Sequence, residues 1–139
     1  MIQLVDDQLL SAILRGGSPP KRRAAVFTTG YWYVRLCQAV LRAAERTGVL
    51  SGPFAALPAG ARERATQALL ELPEAVGLLS LRDLGPRIGR LRQSHDLNIL
   101  GMEALAAAIH LEADVYLSTA SPRLEAALRA EGRRVTIVR

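Results

Sequence analysis

The stretch ILGMEALAAAIHLEADVYLS, residues 99–118, places a predicted helix directly before a predicted strand. Residues 99–112 are the strongest helix candidate in the chain, and residues 114–118 form a short, mostly apolar run of strand length. A strand of this kind beside a helix is typical of a parallel sheet that helices cover on both faces.

The same alternation of strand and helix extends outward to both ends of the sequence. Short apolar runs predict strands at residues 1–6, 24–28, 75–80, 114–118 and 134–138. Helical spacing of apolar residues predicts helices at residues 7–15, 31–46, 59–72, 99–112 and 121–131. A further helix is predicted to begin at Leu84 or Pro86, because proline is tolerated only in a first turn, and residues 48–58 are predicted to form a loop. We therefore predict one α/β domain over residues 1–139, with a three-layer α/β/α fold and a five-stranded, mainly parallel sheet.

Composition limits the classes of protein to which the chain can belong. Cys37 is the one cysteine, which rules out an intrachain disulfide and agrees with a reducing compartment. The sequence contains no run of about 18 apolar residues, so no membrane span is predicted. Asp6 and Asp7 interrupt the first apolar run, which argues against a signal peptide. We therefore expect a cytoplasmic protein that does not contact a membrane.

The basic residues are almost all arginine, and the formal net charge is +5. One interpretation is a phosphate-binding surface, because the arginine fork matches phosphate oxygens. The alternative is codon usage in a GC-rich genome, which would also explain the many alanines. The loop residues Lys21, Arg22 and Arg23 are candidate phosphate contacts, and a solvated loop is the alternative for them.

Common catalytic motifs are missing from the sequence. It has neither of the usual glycine-rich phosphate loops, no Gly-x-Ser-x-Gly elbow and no Cys-x-x-Cys pair. Its two histidines, His95 and His110, do not stand at metal-ligand spacing.

Two acids are the candidate functional residues instead. Asp6 lies at the carboxyl end of the first predicted strand, and Glu103 lies one turn inside the helix that precedes the strand at residues 114–118.

These acids have both functional and structural interpretations. In open α/β sheets, ligands bind at the carboxyl ends of the parallel strands, so an acid there is a candidate functional residue. The structural alternative is that Asp6 and Asp7 are acids at a helix start, and that Glu103 is a solvated helix acid.

The acids and their surroundings resemble the PIN domain family, whose bacterial members include the VapC-type toxin ribonucleases. Residues 2–15 are similar to that family's opening strand, aspartate and Leu-rich helix. Residues 103–121 are similar to its later block, in which an acid and small residues on a helix precede a strand that ends near a threonine. The resemblance implies three or four carboxylates around one or two Mg²⁺ or Mn²⁺ ions, which activate water against a phosphodiester bond.

The resemblance assigns the family's four acids to positions in this sequence. The first acid is Asp6 and the third is Glu103, which makes these two residues the candidate catalytic and metal-binding carboxylates. The second acid falls on Val34 or Arg35 and the fourth on Ser121, and none of these carries a carboxylate. The chain is therefore similar to a degenerate member of the family.

Three further residues bear on that site. Asp7 stands where a small hydroxyl residue is usual, and Glu45, about three turns after the second position, is too far along the helix to replace the missing acid. Arg35 could pair with Asp6 or Glu103 and fill the space of a metal, or it could contact nucleic acid. A guanidinium can offset clustered carboxylates as a cation does.

The aromatic segment Tyr31-Trp32-Tyr33 has two interpretations. It could stack on bases in a nucleic-acid groove, or it could pack at the start of a helix or on a homodimer face.

Three functions follow as hypotheses. The first is a PIN-like domain with a weakened or lost nuclease site that binds RNA or a protein partner. The second is an active Mg²⁺- or Mn²⁺-dependent endoribonuclease of the toxin type, which would use Asp6, Glu103 and a further acid such as Asp7 or Asp96. The third is a structural or regulatory module that forms a homodimer.

Overall fold

The computed structural model describes residues 1–42 and 48–139. Within these residues the chain forms five strands and seven helices. Their order and bounds are β1 (Ile2–Val5), α1 (Asp7–Leu14), β2 (Ala25–Thr28), α2 (Gly30–Leu41), α3 (Gly52–Ala55), α4 (Ala59–Leu70), β3 (Val76–Leu78), α5 (Leu81–Leu91), α6 (Ile99–Leu111), β4 (Asp114–Leu117), α7 (Pro122–Ala130) and β5 (Val135–Ile137).

The strands form one sheet in the order β3-β2-β1-β4-β5, and every pair of neighbouring strands in it is parallel. Leu4 of β1 aligns with Phe27 of β2 on one side and with Val115 of β4 on the other. β1 therefore lies at the centre, where both of its edges are paired. The predicted α/β class and the five strands of the sheet are confirmed.

Helices cover both faces of the sheet because successive strand residues point to opposite sides. Leu4 and Val115 pack into a core with α5, α6 and α7, whereas Val5 and Tyr116 pack into a second core with α1, α2, α3 and α4. These two cores on either side of one sheet make the predicted three layers. The central strands are buried on both faces, which is why they are mostly apolar without alternation.

Helix α6 lies deepest in the molecule. Its residues from Gly101 to Ala108 are all buried, which is expected of a helix that is apolar nearly all round. The Asn98 side chain caps its start by accepting a 2.8 Å hydrogen bond from the Gly101 N–H. Its end is set by Glu112, which adopts the left-handed conformation with a φ of 52°.

Two predicted elements differ from the structure. The loop expected at residues 48–58 contains the short helix α3, which places Phe54 in a core. Helix α5 begins at Leu81, before the expected Leu84 or Pro86, because the Ser80 hydroxyl caps it by accepting from the Arg82 N–H at 3.1 Å. Pro86 therefore lies inside the helix, on an exposed position where the unpaired carbonyl one turn earlier can bind water.

The end predicted for the second helix, with Glu45 on it, lies outside the described residues. Among the helices that residues 1–42 and 48–139 form, none has both the length and the apolar character that crossing a bilayer requires.

Candidate functional site

The strand order reverses between β1 and β4. The chain leaves β1 towards β2 on one side of the sheet and leaves β4 towards β5 on the other side. In open parallel sheets such a reversal opens a crevice at the carboxyl ends of the two strands. A cleft of about 420 Å³ lies at this point. Its polar lining includes Asp6, Asp7, Arg35, Ser118, Thr119 and Ser121.

Asp6 is buried and hydrogen-bonded on both carboxylate oxygens. Its Oδ1 accepts from the Leu9 N–H at 3.0 Å, which caps helix α1. Its Oδ2 accepts from the Ser118 N–H at 2.7 Å and from the Ser118 hydroxyl at 2.6 Å. Asp6 is thus a helix-start acid, as the structural alternative predicted, and it also fastens the end of β1 to the end of β4.

Glu103 is fully buried, with 0% of its surface exposed, so the alternative of a solvated helix acid is wrong. Its Oε1 accepts from the Tyr31 N–H at 2.8 Å, and its Oε2 accepts from the Gly30 N–H at 3.2 Å. These are the first amides of helix α2, where the helix dipole favours a negative charge. Glu103 does not line the cleft, and it joins α6 to the start of α2.

Asp7 is the buried carboxylate of the cleft that has least hydrogen bonding. Its Oδ1 accepts from the Gln8 N–H at 2.9 Å, whereas its buried Oδ2 accepts no hydrogen bond from any residue in the described part of the chain. Burial raises the pKa of Asp7 above its ordinary value of 3.8, and the nearby charge of Arg35 opposes that rise. The nearby cation therefore offsets part of the cost of burying the Asp7 carboxylate.

That cation is Arg35, whose Nη1 lies 3.5 Å from Asp7 Oδ2. Arg35 therefore faces the cleft, but its partner is Asp7 and not the predicted Asp6 or Glu103. Those two carboxylates are already bonded to backbone amides, which leaves Asp7 as the acid in need of a counter-ion. The Arg35 side chain is still 54% exposed, so its guanidinium is accessible from solvent.

The cleft offers a divalent metal ion fewer carboxylates than the resemblance to the PIN family implies. Asp6 and Asp7 are the carboxylates among the described residues of the cleft lining, and Arg35 places a positive charge beside Asp7. Ser121 lines the cleft where the family's fourth acid is expected, and a hydroxyl is a weaker ligand for a hard cation than a carboxylate. In the described residues, no group of three or more histidine, cysteine or acidic side chains could hold a metal.

The other candidate residues lie away from the cleft. Asp96, considered as a further acid, is exposed and pairs with Arg92 at 3.8 Å and with Arg123 at 3.3 Å. Val34 is not part of the cleft lining and is 48% exposed.

The basic residues predicted to bind nucleic acid do not form one surface. Lys21, Arg22 and Arg23 immediately precede β2, so they lie at the amino edge of the parallel sheet, whereas Arg35 lies at its carboxyl edge.

The aromatic segment is mostly used for packing. Trp32 is buried in the core with α6, and the Tyr33 hydroxyl donates to the Leu69 carbonyl at 2.6 Å. Burial, reinforced by Cys37, raises the pKa of Tyr33. Trp32 lines the cleft, but only 4% of its surface is exposed, which favours packing over base stacking.

Sequence reasoning missed Ser118, which holds Asp6, and Gln3, whose buried side chain binds the turn before β2. The position of Ser118 directly after β4 was the available signal, because the ends of adjacent parallel strands meet.

No protein-family model matches the sequence, and no curated protein matches it. The resemblance to PIN domains therefore remains a prediction from the sequence.

Proposed function

We propose that the chain is a PIN-like domain that has exchanged its metal for an arginine and binds RNA without metal-dependent cleavage. The single observation that carries the proposal is the ion pair between Arg35 and Asp7 in the cleft, 3.5 Å between Nη1 and Oδ2. Asp7 directly follows Asp6, to which the resemblance assigns the first metal-binding acid, and Arg35 lines the same cleft as both acids.

The other two acids support the loss of nuclease chemistry. Metal-dependent hydrolysis requires carboxylates whose lone pairs point at the ion. Asp6 accepts three hydrogen bonds and Glu103 accepts two, all of them from groups that hold the fold together. Turning either carboxylate towards a metal would leave buried amides unpaired, at a cost of roughly 1–3 kcal/mol for each.

The exposure of Arg35 supports RNA binding at the same cleft. A guanidinium can form two parallel hydrogen bonds to a phosphate, and the single ion pair with Asp7 leaves most of its donors free. The hydroxyls of Thr119 and Ser121 line the same cleft and can bond to sugar or phosphate oxygens. The net charge of +5 favours a polyanion as the partner.

The test is RNA binding in the presence of EDTA, followed by fluorescence anisotropy of a labelled oligouridylate. We expect the wild type to bind, and Arg35→Gln to weaken binding by about tenfold, a typical effect for one charge-assisted contact. Arg90→Gln removes another exposed arginine, on α5, and should leave the affinity unchanged. Equal affinity of the Arg35→Gln variant and the wild type would contradict the proposal.

The alternative of an active endoribonuclease is tested in parallel. Incubation of the same RNA with Mn²⁺ should yield no cleavage. Cleavage that disappears in the Asp6→Ala and Glu103→Ala double variant, with that variant shown to be folded by circular dichroism, would establish the toxin-like activity instead.

A second candidate, a homodimeric interaction module, is favoured by one observation on α2. Val34 and Leu41 are 48% and 57% exposed, and their spacing of seven residues places them on one side of the helix. Light scattering of the wild type would report a dimer, and Val34→Asp would dissociate it. Ile99→Asp, which charges an equally exposed apolar position on α6, is the matched control.

A further inference from the structure

The turn that leads into β2 presents three consecutive cations, Lys21, Arg22 and Arg23, which we call the basic turn. All three residues are exposed. The Ala24 N–H donates to the Lys21 carbonyl at 3.3 Å, so Arg22 and Arg23 take the two central positions of a tight turn. The cations are therefore grouped on a compact segment of backbone.

A buried glutamine fixes the basic turn to the centre of the sheet. Gln3 of β1 is 0% exposed. Its Nε2 donates to the carbonyls of Lys21, at 2.6 Å, and Ala24, at 3.0 Å, and its Oε1 accepts from the Lys21 N–H at 3.0 Å. A buried amide that lacked these partners would cost roughly 1–3 kcal/mol. The side chain and the turn consequently hold each other in place, and the turn is ordered before any ligand arrives.

The charges of the basic turn have no acidic partner among residues 1–42 and 48–139. In the part of the chain that the structure describes, none of its three side chains takes part in a salt bridge, whereas arginines elsewhere, such as Arg123 and Arg134, pair with acids. Neighbouring like charges repel one another, and an external anion relieves that repulsion. Arginine forks bind phosphate oxygens in pairs, which makes a phosphodiester the best-matched anion.

We infer that the basic turn is a second nucleic-acid contact, which binds the phosphate backbone of a single strand at the amino edge of the sheet. A cavity of about 430 Å³, bordered by Met1, Ala24 and the basic turn, accompanies it. The choice of RNA as the strand rests on the proposed function, but the turn binds independently of the cleft, which lies at the opposite edge of the sheet.

The test measures the salt dependence of binding to a 2′-O-methyl oligouridylate, which resists cleavage. The variant with Lys21→Gln, Arg22→Gln and Arg23→Gln is compared with a variant that has the same loss of charge on exposed arginines elsewhere, Arg64→Gln, Arg82→Gln and Arg90→Gln. Each phosphate contact contributes about 0.7 to the slope of log K against log salt concentration for a single strand. We expect the basic-turn variant to lower that slope by about 2 and the control variant to leave it nearly unchanged.

The outcomes separate this inference from the proposed function. Equal slopes and affinities for the basic-turn variant and the wild type, or no binding by the wild type, would overturn the inference. Loss of affinity in Arg35→Gln tests the cleft alone, and cleavage of an unmodified RNA tests the absence of nuclease activity alone. Equally tight binding of poly-glutamate, abolished by the same basic-turn variant, would overturn the assignment of a phosphodiester ligand.

Discussion

Glu103 Oε1 accepts a 2.8 Å hydrogen bond from the backbone N–H of Tyr31. A residue expected to bind metal therefore caps helix α2 from the neighbouring helix α6. We expect Glu103→Gln to lower the free energy of unfolding by about 1–2 kcal/mol, because an amide has one accepting oxygen and no charge to oppose the helix dipole. Urea denaturation with and without Mn²⁺ checks this. A loss of stability seen only in Mn²⁺ would instead mark Glu103 as a metal ligand.

Substitution of Gly30 provides a second test of the contact between Glu103 and the start of α2. A Cβ atom at this position would lie 3.2 Å from Glu103 Oε2, closer than ordinary van der Waals contact. Gly30→Ala should therefore destabilise the wild type, although alanine is the better helix former by about 1 kcal/mol. In the Glu103→Ala background, where the clash is absent, the same change should be neutral or stabilising. A double-mutant cycle measures the coupling, and additive effects would contradict the contact.

The raised pKa of Asp7 predicts that the stability of the protein depends on pH. Because the folded protein raises the pKa of Asp7 above 3.8, the folded state binds this proton more tightly than the unfolded chain. The contribution of Asp7 to stability is then greatest below its ordinary pKa and is lost as the pH rises through the raised value. Asp7→Asn should remove that loss, so its unfolding midpoint should rise relative to the wild type as the pH increases above 3.8.

The matched control for Asp7 is Asp83→Asn, which removes an exposed acid from the first turn of α5. Thermal unfolding across the pH range compares the two variants. A midpoint for Asp7→Asn that falls relative to the wild type over the same range would contradict the predicted direction, because it would mean that the ion pair with Arg35 outweighs burial.

The fold could be predicted because its signals are local. The apolar strands and the Ala-rich helix α6 are each buried on both sides. Elements of this kind have continuous apolar runs, which can be recognised in the sequence alone. Errors occurred where a local rule has exceptions. The start of α5 was predicted too late because Pro86 was assumed to lie in the first turn. The Ser80 cap and the buried Leu84 stabilise the helix around this proline.

The position of Asp6 at the carboxyl edge of the sheet could be predicted from the sequence, but its contacts and those of Arg35 could not. Asp6 and Arg35 were placed at the carboxyl edge of the sheet by pattern and resemblance, and both line the cleft. Their partners, Ser118 for Asp6 and Asp7 for Arg35, depend on how side chains meet between elements that are distant in sequence or on separate helices. Charge pairing in a cleft is a property of that packing, which no local pattern records.

In the function that we propose, Arg35 takes the place of a metal ion in the cleft. Thermal unfolding of the wild type and of Asp6→Asn, each with and without Mn²⁺, tests it most directly, because a ligand that binds the folded state raises the unfolding midpoint. We predict the same wild-type midpoint in both conditions. A Mn²⁺-dependent rise in the wild type that disappears in Asp6→Asn would contradict the claim.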